Sequence, residues 1–65
     1  MQIIVNGQAQ PLETPCSMQQ LIEQMALGDQ RIAVELNDEI LPRSQYQKTL
    51  NDQDRIEIVQ AIGGG

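Results

Sequence analysis

The protein is a chain of 65 residues with a formal net charge of −5, one tyrosine as its only aromatic residue, one cysteine and no histidine. A chain of this length forms one domain that buries only about 60% of its unfolded surface, and its cysteine and histidine content excludes a disulfide framework and the usual zinc and iron–sulfur ligand sets. Four basic residues and one aromatic ring are too few for phosphate neutralisation and base stacking, so we expect no nucleic-acid partner.

The lack of a recognisable targeting signal and the acidic charge indicate the cellular compartment and the class of partner. The apolar run at the start is too short for a signal peptide, and no segment approaches the length of a transmembrane helix. We therefore expect no membrane partner, and the cysteine usage fits the reducing cytoplasm. The acidic charge favours a basic protein partner, because complementary fields speed encounter. The alternative is that the charge only keeps a small protein soluble.

The first residues predict a β-hairpin. Apolar residues alternate from Met1 to Val5, which predicts a strand with one apolar face. Asn6-Gly7 is typical of a two-residue hairpin turn, because both positions tolerate positive φ. Such a turn pairs Val5 with Gln8. Pro11 has no N–H to donate, so the second strand is expected at an edge of the sheet.

A helix is predicted after the hairpin. Ser17 and Gln20 have the spacing of a capping box, and Gly28 lies where a left-handed C-terminal cap belongs. The apolar residues between these signals form one face of an amphipathic helix: Met18, Leu21, Ile22 and Met25.

Cys16 directly precedes the helix cap, where it is placed to pack against Leu21 as a hydrophobic staple. A thiol at a helix N-terminus is also a candidate nucleophile. Because the chain has no histidine to act as its base, we interpret Cys16 as a packing residue.

A second hairpin is predicted over residues 32–41. Apolar residues alternate from Ile32 to Leu36, polar residues 37–39 form a turn, and a short return strand ends before Pro42. After this hairpin, Ser44 and Gln47 have the spacing to cap one helical turn, which would hold Tyr46 against the body of the protein.

The last predicted strand follows a polar turn at residues 51–54. Ile56 and Ile58 lie on one face of this strand, and Val59 and Ala61 lie on the other. Apolar residues on both faces indicate a central strand, or a strand whose second face contacts a partner.

Three consecutive glycines follow this strand. Gly63, Gly64 and Gly65 have no side chains to bury and lose much backbone entropy on ordering, so they predict a flexible thread. At roughly 3.3 Å per extended residue, the thread carries a terminal carboxylate about 10 Å beyond the folded body. The alternative is an ordinary frayed chain end. We expect one domain over residues 1–62 and a tail over residues 63–65.

The order strand, strand, helix and three further strands predicts an α+β fold, with a mixed sheet of about five strands on one helix, as in the ubiquitin-like β-grasp. The Asn6-Gly7 turn, the Pro42-Arg43 pair within residues 34–44, and residues 54–65 with their terminal glycines resemble the ThiS family, the sulfur carriers of thiamine biosynthesis. The resemblance covers the whole chain.

One departure is Gln53, where the family usually has the glycine of an Asp-Gly-Asp turn. If that position needs positive φ, its replacement costs up to about 1 kcal/mol.

The resemblance implies a carrier rather than an enzyme, with no catalytic residue, metal or bound cofactor of its own. A ThiF-like adenylating enzyme would use ATP to form an acyl-adenylate on Gly65, and a persulfide sulfur donor would convert it to a thiocarboxylate. A ThiG-like thiazole synthase would then accept the sulfur. Gly63 and Gly64 would thread the reacting end into the partners' active sites. Docking is expected to involve the last strand and nearby acids: Asp52, Asp54, Glu57, Val59, Ala61 and Ile62.

Two alternatives remain open. A molybdopterin-synthase-type carrier of the MoaD kind has the same fold and chemistry, but is usually longer and richer in aromatic residues. A ubiquitin-like interaction module with an inert glycine end belongs to a different class. A pyrophosphate-exchange assay separates carrier from module, because only a tail that is a substrate supports the exchange.

Overall fold

The computed structural model describes residues 1–25 and 31–60, which form one mixed sheet and one α-helix. The elements in chain order are β1 (Gln2–Val5), β2 (Gln8–Pro11), α1 (Met18–Gln24), β3 (Ile32–Leu36), β4 (Glu39–Ile40), a 3₁₀ helix (Arg43–Gln45) and β5 (Arg55–Gln60). The strand order in the sheet is β2-β1-β5-β3-β4. β1 and β5 are parallel, and the other neighbours are antiparallel. The predicted architecture, five strands and one helix, is therefore confirmed.

The first hairpin has the predicted turn and register. Asn6 and Gly7 adopt φ values of 49° and 83°, as a two-residue turn of the primed type requires. Val5 pairs with Gln8. β2, which contains Pro11, is the edge strand of the sheet.

The helix begins with the predicted capping box. The Ser17 hydroxyl accepts a hydrogen bond from the Gln20 backbone N–H at 3.1 Å, and the Gln20 side-chain oxygen accepts one from the Ser17 N–H at 2.9 Å. The helix ends at Gln24, with Met25 as its C-cap, and the predicted cap at Gly28 lies outside the described residues.

The core lies between the helix and one face of the sheet. The helix contributes Met18, Leu21 and Ile22, which are buried as the predicted stripe requires. The sheet contributes the inward-facing residues of its three central strands: Ile3, Val5, Val34, Ile56 and Ile58. Cys16 is buried in the same cluster with Leu21, which supports its interpretation as a packing residue.

The segment between β4 and β5 differs in part from the prediction. The 3₁₀ helix begins at Arg43 with Pro42 at its N-cap, and no side chain caps it. The predicted cap by Ser44 is therefore wrong, because the fixed φ of Pro42 already starts the turn two residues earlier. Tyr46 is buried in the core, as predicted.

The same segment completes the helix N-terminus. The backbone N–H groups of Met18 and Gln19 donate to the carbonyls of Lys48 at 3.1 Å and Tyr46 at 2.8 Å. These N–H groups lack partners within their own helix. A distant loop therefore supplies them with acceptors, and ties the helix start to the segment before β5.

β5 is the central strand, as predicted, and two turn asparagines extend its pairing. The Asn6 side-chain oxygen accepts from the Ile58 N–H at 2.9 Å, beyond the last residue of β1. The Asn37 side-chain oxygen accepts from the Arg55 N–H at 2.9 Å on the other side. Within the ranges described above, no helix is long and apolar enough to cross a membrane.

Candidate functional site

The candidate site is the face of the sheet opposite the helix, which we call the open face. On β5, Ile56 and Ile58 point into the core, so the alternating residues Arg55, Glu57 and Val59 lie on the open face. The register places a residue of β3 or β1 beside each of them: Glu35 opposite Glu57, Ala33 opposite Val59, and Ile4 opposite Arg55. The open face therefore runs alongside the strand that leads to residues 61–65.

The open face carries exposed apolar side chains. Val59 is 57% exposed, and Ile40, which pairs with Glu35 from the edge strand β4, is 76% exposed. Large apolar side chains exposed together on one face indicate an interaction surface more often than isolated ones do. Val59, predicted from the sequence as a docking residue, is thus placed on this face.

The open face also carries charge. Glu35 and Glu57 are directly opposite each other on antiparallel strands. The guanidinium of Arg55, two residues before Glu57, forms an ion pair with Asp38 in the neighbouring turn. Both partners of that pair are largely exposed, so it contributes little to stability.

A shallow hollow of about 100 Å³ lies between these charges. Glu35, Glu57, Asp38 and Arg55 supply its polar walls, Ile4 supplies an apolar wall, and Gly7 and Ile56 complete the lining. A hollow of this size accommodates the end of one side chain and is too small for a nucleotide or a drug-sized ligand.

The two predicted acids of the 51–54 turn have structural contacts. Asp52 is exposed, and its carboxylate accepts from the Gln2 N–H at 2.8 Å, which fastens the turn to β1. Asp54 is only 9% exposed. Its two oxygens accept from the Asn37 side-chain amide at 3.1 Å and from the Asn51 N–H at 2.8 Å. Asp54 thus faces the interior of the turn and is not part of the open face.

Two of the residues predicted for docking lie on the open face. Glu57 and Val59 lie on the open face, whereas Ala61, Ile62 and the tail residues Gly63, Gly64 and Gly65 lie outside the described residues. Glu35 was missed. Its position between Val34 and Leu36 indicates that it faces away from the core, but only the strand register reveals that it lies opposite Glu57.

The part of the chain that the structure describes contains no group of side chains suited to a metal site. There, no three histidine, cysteine, aspartate or glutamate side chains lie close enough together to hold a metal ion. Every buried side-chain nitrogen and oxygen atom in the same ranges has a hydrogen-bond partner.

Comparison with known proteins identifies the family. The ThiS family model matches residues 3–65. The sulfur carrier protein ThiS of Escherichia coli is 35% identical over 66 aligned positions, which cover 100% of both chains. The thiazole synthase of Paramagnetospirillum magneticum is 36% identical over all of this chain, which corresponds to 20% of that longer protein.

A solved structure supports the same conclusion for the fold. The thiamine biosynthesis protein ThiS of Geobacter metallireducens superposes with a TM-score of 0.84 and 28% sequence identity, over 100% of both chains. The sheet order and the single helix described above are those of the ubiquitin-like β-grasp. With the family match extending over nearly its whole length, the chain belongs to the ThiS family.

Proposed function

We propose that the protein is a sulfur carrier of thiamine biosynthesis and that Gly65 is its reacting residue. The observation that carries this proposal is the family match, which extends over residues 3–65 and so includes the glycine run together with the fold. The resemblance to the sulfur carrier of Escherichia coli over both full lengths supports the same role.

The proposed chemistry takes place at the carboxylate of Gly65. A carboxylate is a poor electrophile, so it attacks the α-phosphate of ATP on a ThiF-like adenylating enzyme, and pyrophosphate leaves. The terminal sulfur of a persulfide donor then displaces AMP from the acyl-adenylate. Reductive cleavage of the sulfur–sulfur bond by a thiol leaves a thiocarboxylate. The carrier supplies the reacting group, and its partners supply the catalysis, the ATP and the sulfur. We propose that the reaction takes place in the cytoplasm.

The folded body supplies the binding energy that the tail lacks. Ordering one glycine costs at least about 1–2 kcal/mol, so threading three glycines opposes binding by several kcal/mol. Glycines add few contacts to offset that cost. We therefore propose that the open face docks on the partner through Glu57 and Val59 of β5, and that Asp52, Ala61 and Ile62 also take part in docking.

The proposed sulfur acceptor is a thiazole synthase. In the Paramagnetospirillum magneticum protein of that name, a segment similar to this whole chain forms one fifth of the polypeptide. A second thiazole synthase, from Magnetococcus marinus, has the same arrangement at 32% identity and 20% of its length. Segments that share one polypeptide are held at high effective concentration, which favours a direct transfer between them.

The tail is tested by changing its length and its width separately. An alanine added after Gly65 moves the carboxylate by roughly 3.5 Å, and a misplacement of about 1 Å costs on the order of 10²-fold in rate. Gly64→Val keeps the carboxylate in place but adds Cβ branches that restrict the backbone and obstruct a narrow channel. We expect neither variant to gain sulfur when incubated with the adenylating enzyme, ATP and a sulfur donor, as measured by mass spectrometry.

The control is the stability of the same variants. Neither change alters a residue of the described core, so the free energy of unfolding should stay within about 0.5 kcal/mol of the parent. Sulfur uptake by the alanine-extended chain at the parent's rate would contradict the proposal and favour an interaction module with an inert tail.

A further inference from the structure

The turn between β1 and β2 contains a dipeptide that is chemically prone to deamidation. Asn6 is followed by Gly7, which has no Cβ atom to shield its backbone nitrogen from the Asn6 side-chain amide. Both residues are exposed, and apart from the neighbouring residues no heavy atom lies within 4 Å of the place that a Gly7 Cβ would take. The other two asparagines, Asn37 and Asn51, are each followed by an aspartate, whose Cβ hinders such an attack. Asn6 is therefore the asparagine with the least hindered neighbour.

Deamidation begins when the Gly7 nitrogen attacks the Cγ atom of Asn6. A bond forms between these two atoms, the bond from Cγ to Nδ2 breaks, and ammonia leaves with the proton of the Gly7 N–H. A five-membered succinimide ring remains. Water then opens the ring at one of its two carbonyls, which gives aspartate or isoaspartate. In isoaspartate the main chain runs through Cγ and is longer by one methylene.

The folded turn holds the reacting atoms apart. Asn6 has a φ of 49° in a two-residue turn that pairs Val5 with Gln8, so it adopts the left-handed conformation, in which ψ is about +47°. At that ψ the Gly7 nitrogen lies anti to the Asn6 Cβ atom about the Cα–C bond. A five-membered ring requires these two atoms to be nearly eclipsed, so the turn must open before the ring can close.

Two hydrogen bonds to β5 keep the turn closed. The Asn6 side-chain oxygen accepts from the Ile58 N–H at 2.9 Å, and the Asn6 N–H donates to the Ile56 carbonyl at 2.9 Å. The first bond fixes the side-chain amide that has to rotate towards Gly7. Among the described residues, the Gly7 N–H itself donates no hydrogen bond. The restraint on the reaction therefore lies in the contacts of Asn6 with β5.

We propose that Asn6 is a deamidation site of this protein, and that its contacts with β5 set the rate because they set how often the turn opens. Water is the co-reactant. Isoaspartate lengthens the turn, so the pairing of Val5 with Gln8 and the acceptor for the Ile58 N–H are lost. The modification thus releases the turn from the strand that continues into residues 61–65. It is independent of the proposed function, since it needs no partner protein.

The test compares the folded protein with the full chain unfolded in guanidinium chloride, at the same temperature and mildly alkaline pH. Peptide mapping by mass spectrometry gives the deamidation rate at each asparagine, and hydrogen exchange gives the protection of the Ile58 amide. We expect Asn6 to react first in both samples, and at least about tenfold more slowly in the folded protein, because two hydrogen bonds oppose the opening. The slowing should equal the protection of the Ile58 amide, since both reactions need the same opening.

A matched pair of variants separates local opening from global unfolding. Ala9→Gly and Ala33→Gly each replace an exposed alanine in a strand, but Ala9 lies in the hairpin of the turn, whereas Ala33 lies on β3. Glycine weakens a strand relative to alanine, so Ala9→Gly should accelerate deamidation of the folded protein about two- to fivefold. The rate in Ala33→Gly should stay near that of the parent.

Three results would overturn the proposal. Equal acceleration in both variants would show that the reaction needs global unfolding. A folded protein that deamidates as fast as the unfolded chain, or faster, would show that the contacts with β5 do not restrain the turn. Earlier modification at Asn37 or Asn51 would show that Asn6 is not the preferred site.

Discussion

At the scale of single residues, the turn before β5 contains a strained position. Gln53 has a φ of 69°, in the left-handed region that glycine adopts without a steric penalty. The family resemblance places glycine there, whereas in this chain a glutamine adopts the left-handed φ. The Gln53 N–H donates to the Gln2 carbonyl at 2.6 Å. This contact and the Asp52 contact with the Gln2 N–H hold the turn in its strained conformation.

Gln53→Gly is therefore expected to stabilise the protein. The gain should be a few tenths to about 1 kcal/mol, because relief of the left-handed strain is partly offset by the larger entropy of glycine in the unfolded chain. Urea unfolding followed by circular dichroism measures the difference. Gln53→Ala is the control, since it removes the same side chain but keeps the Cβ atom. An equal gain in both variants would mean that the side chain, and not the backbone, is the source of the strain.

Asp54 and Glu35 show that acidic residues with similar sequence surroundings can differ in burial and in hydrogen bonding. Asp54 belongs to the 51–54 turn and was predicted to take part in docking, but its oxygens accept hydrogen bonds from Asn37 and Asn51. Glu35 lies within a strand that reads as core, but its carboxylate lies on the open face opposite Glu57. Charge and position along the chain do not distinguish these cases, whereas hydrogen-bond partners do.

At the scale of elements, β5 connects the fold to the tail. It pairs with β3 over five positions and with β1 over two. Where β1 ends, the Asn6 side chain takes over as the acceptor for Ile58, and the Asn6 N–H donates to the Ile56 carbonyl at 2.9 Å. The hairpin turn thus also holds the middle of the strand from which residues 61–65 continue.

Asn6→Gly tests this second role of the turn. Glycine tolerates the positive φ of Asn6 but leaves the Ile58 N–H without its acceptor, so we expect a loss of about 1 kcal/mol in the free energy of unfolding. Asn6→Asp keeps an acceptor oxygen and should lie closer to the parent. Thermal and urea unfolding of the three proteins give the comparison. A glycine variant as stable as the parent would show that the side-chain contact with β5 is dispensable.

At the scale of the whole molecule, the acidic charge and the open face act together. The formal net charge of −5 is carried by a very small protein, so its field extends over most of its surface. Such a field accelerates encounter with a basic partner, whereas short-range contacts on the proposed docking face would determine how long the complex lasts.

Association with the adenylating enzyme is accordingly expected to slow as salt is raised. The Debye length is about 8 Å at physiological ionic strength and about 3 Å at 1 M, so exposed charges act over shorter distances. Stopped-flow measurements at several salt concentrations give the association rate constant. The dissociation rate constant is the internal control and should change less. An association rate that does not depend on salt would leave apolar docking as the basis of recognition.

Local sequence patterns were sufficient to predict the elements and most of their capping and turn contacts. The Asn6-Gly7 turn and the capping box of Ser17 and Gln20 depend on contacts between residues close in sequence, so local patterns predict them. The edge position of β2 was predicted because Pro11 has no N–H to donate to a second neighbour. The central position of β5 followed from apolar residues on both of its faces. The resemblance to the ThiS family could also be recognised from the sequence, and the family match confirms it. It rests on the Asn6-Gly7 turn, the Pro42-Arg43 pair and the terminal glycines.

The tertiary structure decided what depends on residues far apart in the chain. Three such contacts join segments from different elements. Glu35 pairs with Glu57 across two strands, and the carbonyls of Tyr46 and Lys48 accept hydrogen bonds from the helix start. Asp54 is buried between Asn37 and Asn51. A strand's alternation fixes which face a side chain occupies but not which residue lies beside it, because any register shift of two positions preserves the pattern. Only the folded sheet selects one register, and with it the charge arrangement on the open face.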